Sequence, residues 1–234
     1  MNRLIVALDL PSQREALALV DEIDDAVEVY KVGLELYTRE GPGMVRALHG
    51  RGKRVFLDLK LHDIPTTVAR AVEAARALEV EFLTVHTSGG RPMMEAAREA
   101  AGDEMKLLGV TLLTSLDAAE VSEVWGRPLD TLDGEVIRLA EIARATGLSG
   151  VVASGHEARA LRKALGTEAL IVTPGIRLDS GGNDDQARVS TPRSAIAAGA
   201  SHLVVGRPVT RAESPRSAAR AFQAAIHGTT EARS

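Results

Sequence analysis

Short apolar segments alternate with longer amphipathic segments along most of the chain. Eight apolar runs have the length of buried strands, and they cover residues 4–8, 27–32, 55–59, 82–85, 107–113, 150–153, 170–172 and 202–205. The intervening segments are rich in Ala, Glu and Arg, and helical spacing is clear in residues 68–78, 92–101 and 134–145. The pattern predicts strands that alternate with helices.

The number and size of these units favour a closed parallel sheet. Eight units in 234 residues average about 29 residues each, the size of a compact βα repeat, and eight such repeats close a barrel. The sequence therefore predicts an α/β fold, a single-domain (β/α)8 TIM barrel over residues 1–234. An open doubly wound sheet would alternate similarly, but Asp9-Leu10-Pro11-Ser12 stands where its Gly-x-Gly-x-x-Gly turn is usual.

Composition narrows the classes of partner. The chain has 28 Lys and Arg against 32 Asp and Glu, a net charge of −4, so it offers no broad basic surface for nucleic acid or an anionic membrane. Small-molecule partners are favoured. The absence of cysteine excludes disulfides and thiolate metal sites. Because the N-terminus enters a strand directly, without a signal peptide or long apolar span, we expect a cytoplasmic protein.

Polar residues gather where the predicted strands end, and in a barrel the loops at those carboxyl ends form the site. In chain order these residues are Asp9, Lys31, Asp58, Lys60, His86, Thr114, Arg177, Gly206 and Arg207. We therefore expect several charges to converge on one rim of the barrel.

The most informative block lies at the end of the third strand. It runs Asp58-Leu59-Lys60-Leu61-His62-Asp63-Ile64-Pro65-Thr66-Thr67. Strand alternation predicts that Asp58 and Lys60 share one face. Isolated charges are costly to bury, so such groups either pair with each other or serve a reaction. A purely structural ion-pair network is therefore the alternative interpretation. Pro65 favours the start of a helix.

Two segments are candidates for binding a phosphate. Gly206 lets the backbone approach an anion, Arg207 supplies positive charge, and the next residue is a proline that can open a helix. An ordinary strand-to-helix turn with a solvated arginine is the alternative. Residues 177–186 form the most polar, glycine-rich segment, which we interpret as a mobile loop that could close over phosphate with Arg177 or Gln186 as donors, or as a plain surface loop.

Taken together, four motifs resemble those of bacterial orotidine 5'-phosphate decarboxylases. They are Asp58-x-Lys60-x-x-Asp63-Ile64-Pro65-Thr66-Thr67, Lys31-Val32-Gly33, Val172-Thr173-Pro174-Gly175-Ile176-Arg177 and Val205-Gly206-Arg207-Pro208. The resemblance runs nearly end to end. It implies a (β/α)8 barrel that forms a homodimer and converts orotidine 5'-monophosphate to uridine 5'-monophosphate and CO₂, without a metal or organic cofactor, in the last step of de novo pyrimidine synthesis.

The resemblance also implies roles for individual residues. Lys60 would be the proton donor and Asp58 the carboxylate beside the leaving CO₂. Lys31 and Asp63 would complete an alternating charged array, with Asp63 and Thr67 supplied by the partner subunit. The other implied substrate contacts, in addition to Lys31, are Asp9 at the ribose, Thr114 at the pyrimidine, and Arg177, Gln186, Gly206 and Arg207 around the phosphate.

Two other functions stay open from the sequence. A Mg²⁺-dependent sugar-phosphate lyase, similar to 3-keto-gulonate-phosphate decarboxylase, would share the Asp-x-Lys-x-x-Asp core, but the run 64–67 argues against it. A non-catalytic phosphate-ligand sensor would be expected to have lost members of the charged array, and all four are present. We assign no catalysis to His62 or His86, and we expect Trp125, Met93 and Met94 to pack in a core or subunit contact.

Overall fold

Eight parallel strands close on themselves in chain order in a computed structural model that describes residues 3–178 and 190–228. The strands are β1 (Leu4–Ala7), β2 (Val29–Gly33), β3 (Arg54–Leu61), β4 (Phe82–His86), β5 (Lys106–Val110), β6 (Gly150–Val152), β7 (Leu170–Thr173) and β8 (His202–Val205). The last strand returns to the first, since Leu203 pairs with Leu4. The predicted single-domain (β/α)8 barrel is confirmed.

Helices follow the strands around the outside of the barrel. Within the described ranges they are α1 (Gln13–Ile23), α2 (Leu34–Glu40), α3 (Pro42–His49), α4 (Pro65–Arg76), α5 (Gly90–Ala101), α6 (Ala118–Trp125), α7 (Leu132–Ala145), α8 (Ala158–Leu165), α9 (Pro192–Ala198), α10 (Arg207–Thr210) and α11 (Pro215–His227). Local signals set several starts. Pro65 opens α4 as predicted, and Asp117 caps α6 in a capping box with Glu120. Among the helices of 3–178 and 190–228, none is long and apolar enough to cross a membrane.

The buried side chains form two layers. The layer inside the barrel consists of Ile5, Ala7, Val29, Phe56, Phe82, Leu108, Val172 and Val204. Phe56 and Phe82 meet edge to face there, with ring centroids 5.8 Å apart. The larger layer lies between strands and helices and includes Met93 and Met94, which are fully buried, as expected. A filled interior leaves only the two mouths of the barrel open to ligands.

Alternation along the strands positions the site above this filled interior. Lys31 follows Val29 by two residues, and Asp58 follows Phe56 in the same way, so both side chains point inward one layer nearer the carboxyl ends. The charged residues of the site thus rest directly on the apolar floor of the barrel.

The fifth strand is shorter than the apolar run predicts. The run extends to residue 113, but β5 ends at Val110, whose pairings with His86 and Val152 are the last on either side. Residues beyond Val110 have no further strand to pair with, and Leu113 is 40% exposed. Thr114 therefore lies in the loop after β5 and not at the end of the strand itself.

Candidate active site

Three charged side chains meet at the carboxyl ends of β2 and β3. The Lys60 Nζ lies 2.8 Å from Asp58 Oδ2, and the Lys31 Nζ lies 3.6 Å from the same oxygen. Lys31 also donates to Asp9 Oδ1 at 3.0 Å, which links β1 to the group. The Asp58 and Lys31 side chains are only 13% and 12% exposed. One buried carboxylate is therefore shared by two ammonium groups.

The surroundings of Asp58 favour its ionised form. Burial by itself would raise the pKa of this carboxyl group, but the positive charges of Lys31 and Lys60, with hydrogen bonds from Lys60 and Thr84, outweigh burial and hold the pKa below its usual value. Asp58 is thus a largely buried anion whose charge is compensated by Lys31 and Lys60, and a buried charge needs such partners to be stable.

The end of β3 departs from regular strand geometry. Leu57 pairs with Leu83 and Leu61 with Val85, so three residues of β3 lie opposite one residue of β4. Within this bulge Lys60 has a φ of +50°, a left-handed conformation that non-glycine residues rarely adopt. Asp58 and Lys60 do lie together, as predicted, but the regular alternation behind that prediction is interrupted between them. The bulge re-aims the Lys60 side chain.

Two residues to which the sequence analysis gave no individual role support this geometry. Thr84 is the β4 residue opposite the bulge, and its hydroxyl contacts both Asp58 and Lys60. Gly33 leaves room for the Lys31 side chain, because a Cβ there would lie 2.9 Å from Lys31 Nζ. For Thr84 the sequence did contain a signal, because it is a polar residue inside the otherwise apolar β4 run. For Gly33 the only signal was its position two residues after Lys31.

Two adjoining cavities open above the charged residues. The smaller, of about 160 Å³, is lined by Asp58, Lys60 and Thr114, together with apolar side chains. The larger, of about 670 Å³, has the size of a small-molecule binding site. Lys31 lines both. A ligand in the larger cavity can therefore extend one end toward Lys60.

The larger cavity is rich in groups suited to an anion. The residues that line it include Asp9, Arg177, Gly206 and Arg207, so the structure brings these predicted residues together. The Arg177 N–H donates to the Ser190 carbonyl oxygen at 3.0 Å, which fixes the backbone at this side. Gln186 and most of the polar loop lie outside the described residues.

Asp63 and Thr67 are the predicted site residues that do not join the group within one chain. Both are exposed at the start of α4, and the neighbouring Ile64 side chain is 67% exposed. Asp63 Oδ1 accepts a hydrogen bond from the Ile64 N–H, and Asp63 forms no ion pair with any residue in the described part of the chain. Both residues are therefore accessible to solvent in the single chain.

A histidine pair lies next to the charged group. The rings of His62 and His86 are 5.5 Å apart between centroids. Burial, helped by the charges of His62 and Lys60, lowers the pKa of His86 below its usual value. His86 is therefore neutral near pH 7, consistent with the structural interpretation of this pair.

The described residues form no cluster of side chains that could coordinate a divalent metal ion. Over residues 3–178 and 190–228, no three His, Asp or Glu side chains are placed so that they could hold a metal ion. The carboxylates of Asp9 and Asp58 both face Lys31. The arrangement instead offers two ammonium groups for a substrate anion and one buried carboxylate.

Fold and site together define a (β/α)8 barrel with a charged small-molecule pocket at the carboxyl ends of its strands. The chain belongs to the Orotidine 5'-phosphate decarboxylase / HUMPS family, whose sequence profile matches residues 2–222. It is 49% identical to the orotidine 5'-phosphate decarboxylase of Nitrosococcus oceani over 96% of this chain and 97% of that protein.

A second relative and a solved structure carry the same protein name as the first relative. Identity is also 49% with the orotidine 5'-phosphate decarboxylase of Halorhodospira halophila, over 96% of this chain and 95% of that protein. The crystal structure of orotidine 5'-phosphate decarboxylase from Lactobacillus acidophilus superposes with a TM-score of 0.87 and 34% identity, covering 97% of this chain and 99% of that one.

Proposed function

We propose that this protein converts orotidine 5'-monophosphate to uridine 5'-monophosphate and CO₂, the last step of de novo pyrimidine synthesis, without a metal or organic cofactor. The observation that carries the proposal is the 2.8 Å ion pair of Lys60 with buried Asp58, next to a cavity whose other end holds Arg207. The relatives named above support the same reaction for this chain.

The reaction has an electrostatic problem that these residues can solve. When the bond between C6 and the carboxylate breaks, the electron pair stays at C6, where no π-system delocalises it directly. The Lys60 ammonium stabilises this charge and then transfers a proton to C6, and water restores the proton to the amine. Asp58 holds Lys60 in place beside the departing CO₂. Because Lys31, Asp58 and Lys60 already lie together in the single chain, we attribute the rate mainly to preorganisation.

The remaining predicted substrate contacts are distributed between the two cavities. Thr114 lies beside Lys60 in the smaller cavity and would contact the pyrimidine. Asp9 lines the larger cavity and would bind the ribose, and Lys31, which lines both cavities, would also contact the substrate. Arg177, Gln186, Gly206 and Arg207 would surround the phosphate. Phosphate binding far from C6 then supplies energy that can be used at the reacting centre.

The two alternatives are less well supported. A Mg²⁺-dependent lyase would need carboxylates open to a cation, whereas Asp58 lies within 4 Å of two ammonium groups. A sensor would need no proton donor, yet Lys60 is held beside Asp58 in a strained backbone conformation.

The test is direct. We would follow the loss of absorbance when the purified protein meets orotidine 5'-monophosphate, with and without EDTA. Rapid conversion that EDTA does not change is the expected result. No conversion, or activity only on a sugar phosphate with Mg²⁺, would contradict the proposal and favour the sensor or the lyase respectively.

We further propose that the protein is a homodimer in which Asp63 and Thr67 complete the partner's site. Exposed Asp63 carries a negative charge that no described cation balances, and the exposed Ile64 beside it is suited to burial in a subunit contact. The expected mass by light scattering is that of two chains of 24.8 kDa. A monomer that is fully active would overturn this arrangement.

We place the reaction in the cytoplasm, because its substrate and product are both nucleotides whose phosphate charge prevents free passage across a membrane. Fractionation of the source cells should recover the decarboxylase activity in the cytosolic fraction. Recovery with the membrane fraction would contradict this placement.

A further inference from the structure

The bulge in β3 raises the question of what holds Lys60 in its unusual conformation. A left-handed φ of +50° is unfavourable for a lysine, and such strain persists only where surrounding contacts impose it. The strand ladder cannot impose it here, because the β3 and β4 pairings at Leu57 and Leu61 skip the residues between. A contact from outside the ladder is required.

Thr84 supplies that contact with a single hydroxyl. Its Oγ1 accepts a hydrogen bond from the Lys60 backbone N–H at 2.9 Å and donates one to Asp58 Oδ1 at 2.9 Å. The side chain is completely buried, so water does not compete for either bond. A hydroxyl can donate one bond and accept others, so the same atom serves both sides of the bulge.

We propose that Thr84 is a positioning residue for the decarboxylation, an inference that rests on the proposed function. Its hydroxyl fixes the Lys60 backbone and the Asp58 carboxylate relative to each other, and this directs the Lys60 ammonium toward the smaller cavity. The second Asp58 oxygen is then left for Lys60 and Lys31, at 2.8 and 3.6 Å. Thr84 itself does not line either cavity.

The loss of the Thr84 hydroxyl can be detected through the pKa of Asp58, which depends on the charged groups and donors around this carboxylate. Lys31 faces Asp58 from β2, Lys60 from its own strand, and the neutral His86 from the end of β4. Apart from Lys31, Asp58 and Lys60, no titratable side chain of the described residues lines the smaller cavity. Thr84 is thus the uncharged donor to Asp58, and its removal raises the pKa of that carboxyl group.

The experiment compares Thr84→Val with Thr84→Ser. Valine keeps the shape but not the hydroxyl, so we expect kcat to fall on the order of 10- to 100-fold while KM stays within about threefold. The acid limb of the kcat profile should move to higher pH. Serine should restore most of kcat. The matched control is Thr87→Val, since Thr87 is also buried with one hydroxyl bond, to the Val110 carbonyl oxygen at 3.0 Å.

A second measurement does not depend on turnover. The Asp58 carboxyl carbon, followed by ¹³C NMR through an acid titration, should show a higher pKa in Thr84→Val than in the wild type and no change in Thr87→Val. If Thr84→Val fails to fold, Thr84→Ala is measured in the same way. A wild-type protein without turnover would reject the proposed function alone, because the titration still tests Thr84.

Three outcomes would overturn the inference. The first is an unchanged kcat in folded Thr84→Val. The second is an equal loss in the Ser and Val variants, which would make packing the cause. The third is an unchanged titration of Asp58.

Discussion

Lys60 meets two demands at once, since its backbone occupies a left-handed bulge while its ammonium pairs with a buried carboxylate. Replacing the Lys60 side chain removes the ammonium group but leaves the left-handed backbone conformation in place. Alanine at this position faces the same backbone strain as lysine, and Asp58 keeps Lys31 and the Thr84 hydroxyl as partners. At the scale of the residue, the chemistry can therefore be removed while the fold survives.

We expect Lys60→Ala to lower kcat on the order of 10⁴-fold or more, because both charge stabilisation and proton transfer are lost. Affinity for uridine 5'-monophosphate, measured by calorimetry, should stay within about tenfold, because the residues lining the larger cavity are unchanged. Lys53→Ala is the control, since Lys53 caps the Asp24 and Val27 carbonyl oxygens away from the site. Near-full turnover by Lys60→Ala would exclude Lys60 as the proton donor.

His202 carries a different prediction at the residue scale, on stability against pH. Burial, followed by the charges of Lys106, Arg54 and Arg3, lowers its pKa from 6.5 to about 4. The unfolded chain therefore binds this proton more readily than the folded chain between pH 6.5 and 4, and stability falls as pH decreases through that window. At about 1.4 kcal/mol per pKa unit, the loss by pH 4 is about 3 kcal/mol.

Urea unfolding of wild type and His202→Gln at pH 7 and pH 4 measures this effect. The decrease in the free energy of unfolding should be smaller in the variant by about 3 kcal/mol. His227→Gln, at the exposed end of α11, is the matched control. Equal decreases in wild type and His202→Gln would show that His202 does not cause the pH dependence.

At the scale of the element, the barrel depends on close approach between neighbouring strands. Gly150 begins β6 opposite Leu170 of β7, and a Cβ at Gly150 would lie 2.0 Å from the Leu170 carbonyl oxygen. The obstacle is backbone, which cannot rotate away as a side chain can. The pairing of these two short strands requires glycine at this point.

Gly150→Ala should therefore lower the free energy of unfolding by about 3 kcal/mol or more, because β6 and β7 must separate to admit the methyl group. Gly43→Ala gives a contrasting control within α3, where the nearest atom lies 3.8 Å from the added Cβ and alanine favours the helix. Chemical denaturation of both variants checks the prediction. Equal stability of Gly150→Ala and wild type would mean that the strands can shift at no cost.

The sequence patterns predicted elements better than they predicted details within elements. Each apolar run became a strand because parallel strands covered on both sides need continuous apolar residues. The early end of β5 at Val110 and the bulge at Lys60 were not predicted, because pairing with neighbouring strands decides both. Hydrophobic periodicity carries no information on pairing.

At the scale of the whole molecule, the proposed active site combines residues of two chains. In the proposed homodimer a two-fold axis would make the two sites equivalent, so each chain would give Asp63 to one site and Lys60 to the other. Two inactive variants can then restore one intact site when they share a dimer. This behaviour distinguishes a shared site from two independent ones.

We expect Lys60→Ala and Asp63→Asn to be inactive alone, and a heterodimer purified through two different affinity tags to recover about half of the wild-type activity per dimer. The control heterodimer of Lys60→Ala with Asp58→Asn should stay inactive, because each of its sites retains one defect. If the first heterodimer is pure and inactive, Asp63 acts within its own chain.

The sequence by itself determined the fold class and most of the residues that the site brings together. Eight apolar runs with helical segments between them favour a closed barrel. A barrel places strand ends on one rim, so Lys31, Asp58, Lys60 and Arg207 could be grouped without coordinates. Order along the chain is sufficient for this, because the topology relates sequence position to location.

Only the tertiary structure decided how these residues are held. The two bonds of the Thr84 hydroxyl depend on contact between β3 and β4, and the space that Gly33 leaves for Lys31 and the exposed position of Asp63 depend on the three-dimensional arrangement of the chain. Such contacts are set by the packing of strand against strand to within fractions of an ångström. A one-dimensional pattern of polar and apolar residues does not specify distances of that size.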